Sequence, residues 1–375
     1  MSDLIPLSKP FFEDDELEEV KKVLDSGWVS QGPKVREFED AVAKYIGVNH
    51  AIAVANCTSA LHLANLCLGI VPGDAVLVGD YTFPATGHSV LYCGAKPVFV
   101  DINPGTYNID PEKIEDKITE KTKAIIPVHT FGQPAEMESI LKIARDHNLF
   151  VIEDAACALG ARYQNRYAGT VGDIGCFSFH ARKGITTGEG GMVVTNDSEI
   201  ADRIRYLSVF GMKTAWDRTK NGVFTIPEFH DIGYNYKMSD ITAAVGVAQI
   251  RKITKIIDRK RELANIWDEH LEEIGLIEKP FIDSRTNHIF QSYVALVDRK
   301  IDRNSLIQKM LSAGVQTQIG TYASHIQPVY RSADYCPNSL DIYNRAIALP
   351  MFYSLDESTI DKIAKILKRV IGELK

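Results

Sequence analysis

The chain has 375 residues, beyond the ~250 to 300 at which a single hydrophobic core stops growing, so two domains are expected. Its 45% hydrophobic and 24% charged residues suit a globular protein, and a net charge of -7 with no concentrated basic face argues against nucleic acid or an anionic membrane as partner. The first residues, "MSDLIPLSKPFFEDDELEEV", are acidic where a signal peptide needs basic ones, and no apolar run nears the ~18 residues of a membrane span, so a cytoplasmic location is expected.

Along the chain, "FEDDELEEVKKVLDSG" predicts an amphipathic helix with Leu17, Val20, Val23 and Leu24 at helical spacing and Gly27 as its stop. "KVREFEDAVAKYIG" predicts a second, with Val35, Phe38, Val42 and Tyr45 or Ile46 on one face and an end at Gly47. From about residue 50 to 195, short apolar runs such as "HAIAVAN", "AVLVGDYTF", "KAIIPVHTFG", "LFVIEDAA", "CFSF" and "GMVVTN" are interspersed with helical stretches. That alternation predicts an α/β fold with a mostly parallel sheet covered on both faces. Ligands in such sheets collect at the carboxyl ends of the strands, where Asn56, Thr82, His129, Asp154 and Ser178 stand. One long helical stretch from Ser239 to Gly275 then leads toward a smaller α+β domain closed by "STIDKIAKILKRVIGEL". The predicted division is 1–250 for a large domain including the N-terminal helices and 251–375 for the small one. Six scattered cysteines, Cys57, Cys67, Cys93, Cys157, Cys176 and Cys336, show no CxxC pair and no His-x-x-x-His nearby, which argues against a zinc site or a disulfide framework.

The chemistry centres on "FSFHARKGITTGEGGMVV". A P-loop needs its glycines before the lysine, and here they follow Lys183. A solvated turn lysine is the plain alternative, and the company of Lys183 weighs against it. "VIEDAA" ends an apolar strand on Glu153 and Asp154, where Asp154 either caps a helix or meets a cation such as a protonated pyridine nitrogen. "NCTSALHLA" sets Thr58 and Ser59 at a helix start, as caps or as phosphate ligands, and Ser178 offers a further hydroxyl. Phe83 in "GDYTFPAT" is either core or a platform for a flat ring. Lysine, carboxylate, phosphate-binding helix start and aromatic platform together form one set for pyridoxal 5'-phosphate (PLP). The glycines after Lys183, Gly190 and Gly191 among them, are expected to leave room above that cofactor.

These segments, with "SGWVSQGPKVREFE", "GYNYKMSDITAA", "HIQPVY" and "ALPMFYSL", resemble the nucleotide-sugar aminotransferases of the DegT/DnrJ/EryC1/StrS type over nearly the whole chain. The resemblance implies the aspartate-aminotransferase-like fold (fold type I), a three-layer large domain and a small C-terminal one. It implies Lys183 as the Schiff-base lysine, Asp154 facing the pyridine nitrogen, Thr58, Ser59 and Ser178 at the phosphate, and Phe83 on the ring. Asn235 would reach the phosphate of a neighbouring subunit, so that a homodimer shares its active sites, and Trp28, Tyr322 and His325 would contact the substrate. No metal is implied.

L-glutamate would be the amino donor, yielding 2-oxoglutarate, and a nucleotide-linked ketosugar the acceptor. The wording of "ITTGEGGM", "YCGAKPVFVDI" and "PVHTFGQ" leans toward enzymes that convert GDP-4-keto-6-deoxymannose to GDP-perosamine. UDP- and dTDP-ketosugar aminotransferases share these motifs. Cys57 stands where many members have glycine, and Cys157 where many have glutamine. A branch that replaces the lysine with histidine dehydrates sugars through the pyridoxamine form; Lys183 favours transamination, and His180 reads as a hydrogen-bonded strand-end residue. A non-catalytic regulator on the same fold is the remaining reading, against which the complete cofactor set speaks.

Overall fold

The computed structural model describes residues 4–212, 226 and 228–374. Helices α1 (Asp14–Ser26) and α2 (Pro33–Ile46) come first. In α2 the predicted face, Val35, Phe38, Val42 and Ile46, is buried, and Gly47 closes the helix at φ 73 with its N–H on the Ala43 carbonyl. In α1 the prediction fails. Leu17 and Leu24 are 73% and 56% exposed, whereas Glu16 and Glu19 are buried beside Val23. Cations from elsewhere explain the reversal: Lys252 Nζ lies 2.7 Å from Glu16 and Lys34 Nζ 2.5 Å from Glu19.

Next come β1 (His50–Val54), α3 (Cys57–Cys67), β2 (Ala75–Gly79), β3 (Tyr81–Thr82), α4 (Ala85–Tyr92), β4 (Lys96–Val100), β5 (Thr122–Ile126) and α5 (Met137–Asp146). They are followed by β6 (Phe150–Asp154), the short β7 (Arg162–Tyr163) and β8 (Arg166–Tyr167), β9 (Ile174–Ser178), β10 (Gly191–Thr195) and α6 (Ser198–Leu207). Seven strands form one sheet in the order β1-β10-β9-β6-β5-β2-β4. The run from β4 to β9 is parallel, and β10 is antiparallel to both of its neighbours. Alternation along the strands covers both faces, as predicted. Val76, Val78, Ile152 and Val193 pack with Leu61 and Leu63 of α3; Leu77 and Val151 pack with Met137 and Ile140 of α5; Phe177 and Met192 pack with Phe38 and Val42 of α2.

The stretch from Ser239 to Gly275 is two helices rather than one, α7 (Asp240–Ile250) and α8 (Ile253–Ile274). The interruption sets Arg251 at 3.3 Å from Glu19 and Lys252 against Glu16, so the charged face of α1 is met where the helix breaks. Beyond lie β11 (Ile277–Glu278), β12 (Thr286–Asn287), β13 (Tyr293–Val297), α9 (Arg303–Ser312), β14 (Gln318–Ile319), β15 (Tyr322–Ala323), α10 (Pro337–Arg345), β16 (Ala346–Leu349) and α11 (Glu357–Glu373). A second sheet, β11-β13-β16-β14, shares a core with α8, α9 and α11 built around Trp267, Tyr293, Leu306 and Leu367. β15 leaves that sheet and pairs with β3, setting Tyr322 opposite Thr82. Among the described residues no helix is long and apolar enough to cross a membrane.

Gly190 and Gly191 have a different task from the one expected. A Cβ at Gly191 would lie 2.4 Å from the Asn56 carbonyl carbon and 2.6 Å from the Cys57 nitrogen, and one at Gly190 would lie 2.3 Å from Thr187 Oγ1. At Gly191 the glycine lets β10 touch the backbone that opens α3. Gly191→Val is therefore expected to lower the unfolding free energy by about 1–3 kcal/mol through overpacking. Urea unfolding should show a lower midpoint at unchanged slope; an unchanged midpoint would mean that α3 yields without cost.

Candidate active site

β6 ends on two carboxylates that period-2 geometry sends to opposite faces. Glu153 is fully buried and saturated: Oε1 accepts from the N–H groups of Val171 and Gly172 at 2.6 Å each, and Oε2 from Gly169 N–H and His129 Nε2 at 2.8 Å each. Burial opposes its charge, but His129 and these amides outweigh it and hold the carboxyl below its ordinary value. His129 Nδ1 accepts from Ala135 N–H at 3.0 Å, so Nε2 carries the proton toward Glu153.

Asp154, 4% exposed, has fewer partners: Thr86 Oγ1 donates to Oδ2 at 2.7 Å and Ala156 N–H to Oδ1 at 3.2 Å. Among the described residues it forms no ion pair, and burial raises its pKa in spite of those donors and the charge of Lys183. A cation placed against it would reverse that direction. Thr86, which the sequence reading did not single out, also lies 2.9 Å from Thr82 Oγ1. Its signal was present: a hydroxyl one residue into the helix that follows "DYTFP".

At α3 the cap is Asn56, whose Oδ1 accepts from Ser59 N–H at 2.8 Å and from Ser59 Oγ at 3.0 Å. The Ser59 hydroxyl, expected to donate to a phosphate, here donates to Asn56. Thr58 sits in the first turn, whose leading N–H groups have no partner within a helix, and its hydroxyl makes no hydrogen bond among the described residues. Ser178 ends β9 and pairs with Gly191, the residue packed on Asn56 and Cys57. Through Gly191, the end of β9 at Ser178 is thus brought against the backbone that opens α3, whose N-terminus is the positive end of the helix.

Lys183 lies in the turn between β9 and β10, its N–H on the His180 carbonyl at 2.9 Å and its Nζ 3.1 Å from Cys157 Sγ. Burial pulls its pKa down, and Cys157, Cys57 and Asp154 more than compensate, so the amine is held above its ordinary value in the free protein. Cys157, standing where many relatives have glutamine, is thereby a direct neighbour of the lysine amine. His180 accepts from Arg182 N–H through Nδ1 at 3.2 Å.

Lys260 of α8 is a residue the sequence reading missed. It is 5% exposed, donates to the Gln291 carbonyl at 3.0 Å, pairs with no carboxylate among the described residues, and shares a narrow cavity with Lys183. Its signal was its place on the apolar stripe of Ile256, Leu263 and Trp267.

Of the expected substrate residues, Tyr322 stands 6.2 Å from the ring of Phe83, itself 63% exposed, and His325 is bonded to Asp80. Arg182 ties the Lys183 turn to Gln318, four residues before Tyr322, at 3.3 Å. Trp28 lies beside Gly32 and Asp240 at the start of α7, with its Nε1 on the Gln31 carbonyl. Asn235 is exposed and accepts from Lys237 Nζ.

These residues fit PLP. A buried carboxylate lacks a cation, a helix start offers unpaired N–H groups and the unbonded hydroxyl of Thr58, and a lysine amine lies near enough for its charge to act on the carboxylate. A profile of the DegT/DnrJ/EryC1/StrS aminotransferase family matches residues 10–368. The GDP-perosamine synthase of Escherichia coli O157:H7 is 40% identical, the match covering 98% of this chain and 99% of that protein. The GDP-perosamine synthase of Caulobacter vibrioides is 38% identical, over 99% and 100%. Spr1654 of Streptococcus pneumoniae, solved in its PLP form, superposes with a TM-score of 0.92 at 25% identity, over 99% of this chain and 100% of that one.

Two predictions follow from the charges. Burial lowers Lys260 from 10.5 to about 8, with Cys157 opposing and Lys183 adding, so its cost is present in full below pH 8 and is relieved as pH rises from there toward 10.5. Lys260→Met is expected to stabilise the fold at pH 7 by up to about 3 kcal/mol, less the lost hydrogen bond, and to lose that advantage in urea unfolding near pH 10. A constant advantage across that range would assign the effect to packing. Asp154→Asn is expected to cost about 10²- to 10³-fold in kcat while the absorbance of the lysine-bound cofactor persists; undiminished turnover would refute the role given to the carboxylate.

Proposed function

Because this chain belongs to the DegT/DnrJ/EryC1/StrS aminotransferase family, we propose that it carries an amino group from L-glutamate to GDP-4-keto-6-deoxymannose, forming GDP-perosamine. It is a PLP-dependent sugar aminotransferase of fold type I. The observation that carries the finer reading is the full-length match at 40% and 38% identity to two GDP-perosamine synthases.

PLP, when bound, supplies an electron-poor ring that accepts the electron pair left as a proton leaves the carbon bearing the amine. The chain's own residues do the rest. Thr58, Ser178 and the first N–H groups of α3 hold the phosphate, with Ser59 supporting them through Asn56. Asp154 keeps the proton on the ring nitrogen, a task its scarcity of donors suits. Lys183 would anchor the cofactor through Nζ and, once released, would move protons at that atom, from the donor's carbon to the cofactor in one half-reaction and from the cofactor to the sugar carbon in the other. Cys157 Sγ lies 3.1 Å from that amine. Phe83 covers the ring face, and Tyr322, His325 and Trp28 contact the nucleotide sugar.

The exposed amide of Asn235 supports its reach into a neighbouring subunit's site, hence a homodimer with shared active sites. The separate core around Trp267 supports the division into residues 1–250 and 251–375. The cytoplasmic location belongs to the same reading.

The test is a panel of GDP-, UDP- and dTDP-4-ketosugars with L-glutamate and purified enzyme. The GDP-linked sugar is expected to have the highest kcat/KM, with 2-oxoglutarate formed in equal amount. Preference for a UDP- or dTDP-sugar would reassign the nucleotide; release of a deoxysugar without amine transfer would make the protein a dehydratase. Borohydride is expected to fix the cofactor on Lys183, and Lys183→Ala to abolish multiple turnover.

A further inference from the structure

Asp80 follows β2 and is fully buried, yet one distant residue takes both of its carboxylate oxygens. The His325 N–H donates to Oδ1 at 2.6 Å, and His325 Nδ1 stands 2.7 Å from Oδ2. The Asp80 carbonyl accepts from Ser324 N–H at 3.0 Å, so the carboxylate and the β3–β15 pairing clamp one short segment to the end of β2. A carboxylate can only accept, which fixes Nδ1 as the donor. Among the described residues Nε2 makes no hydrogen bond.

Cys336 lies close enough to complete a trio that looks like metal ligands. Two ligands of a tetrahedral zinc, each about 2.1 Å from the ion, stand about 3.4 Å apart, so the 2.7 Å between Oδ2 and Nδ1 holds a proton rather than a metal. Asp101 and Asp334 add negative charge nearby, the latter paired with Lys117 at 2.8 Å. The hydrogen bond that Asp80 accepts raises the imidazole pKa, burial works against it, and the charges of Asp80, Asp101 and Asp334 add to the rise.

We propose that Asp80 is a positioning residue: its carboxylate takes both the backbone N–H and the Nδ1–H of His325, fixes the ring's orientation and aims Nε2 at an oxygen of the nucleotide-linked sugar. The identity of that ligand rests on the sugar-aminotransferase reading; the dyad does not. A neutral His325 would be free to present Nε2 as an acceptor, so Asp80 decides whether the site offers a donor there.

The test is an NMR titration of histidine Cε1–H signals in the full-length chain without cofactor or substrate, His325 being assigned with His325→Gln. The midpoint is expected above the ordinary value of about 6.5 and is expected to fall by about one unit or more in Asp80→Asn, whose amide donates to Nδ1. In the loaded enzyme Asp80→Asn is expected to raise KM for the ketosugar about tenfold, the size of a lost charged hydrogen bond, with kcat and cofactor absorbance changed less. A wild-type midpoint at or below the ordinary value overturns the proposal, as does an unshifted midpoint in Asp80→Asn. Should that variant fail to fold, the wild-type midpoint still decides. A raised midpoint that falls in Asp80→Asn, with no ketosugar aminated, upholds the dyad and overturns the amination reading instead.

Discussion

A carboxylate buried at the end of a strand must be met by donors or by positive charge. β6 ends on two, and the difference between them organises the site. Glu153 receives four donors from the 169–172 loop and His129, and it fastens that loop to the sheet. Asp154, one residue on and facing the opposite side, receives only Thr86 and Ala156. Among the described residues it forms no ion pair, and Lys183 lies near enough for its charge to act on it.

Topology makes their meeting unavoidable. β9 is parallel to β6, so its carboxyl end lies beside Asp154; β10 returns antiparallel, so the turn carrying Lys183 occupies the same edge. β1 is antiparallel to β10, which brings its carboxyl end and the start of α3 there too. The pairing of Gly191 with both Val54 and Ser178 closes the arrangement, and the absence of a side chain lets the backbones touch.

Outside this edge, buried cations join the layers. Lys252 answers the acidic face of α1, and Lys260 reaches Gln291, whose side chain in turn holds the Arg182 carbonyl at 2.7 Å. The residue preceding Lys183 is thereby tied to α8 and to the segment before β13. Position at the lysine depends on side chains far along the chain, the nearer being Lys260 and the farther Gln291, 109 residues from Arg182.

The alternating sheet, the face of α2 and the polar strand ends were legible in the sequence, because local periodicity follows from backbone geometry. The buried face of α1, the break at Arg251 and the cap at Asn56 were not, since each depends on a partner supplied elsewhere in space. The role of Gly191 was likewise hidden: a glycine's spacing does not say whether a cofactor or another backbone approaches it. By itself the sequence determined the fold class and the chemistry its lysine and aspartate can perform. Only the tertiary structure decided that Asp154 receives fewer donors than Glu153 and that Asp80 engages His325, because hydrogen bonds between residues far apart in the chain are set by packing and not by local order.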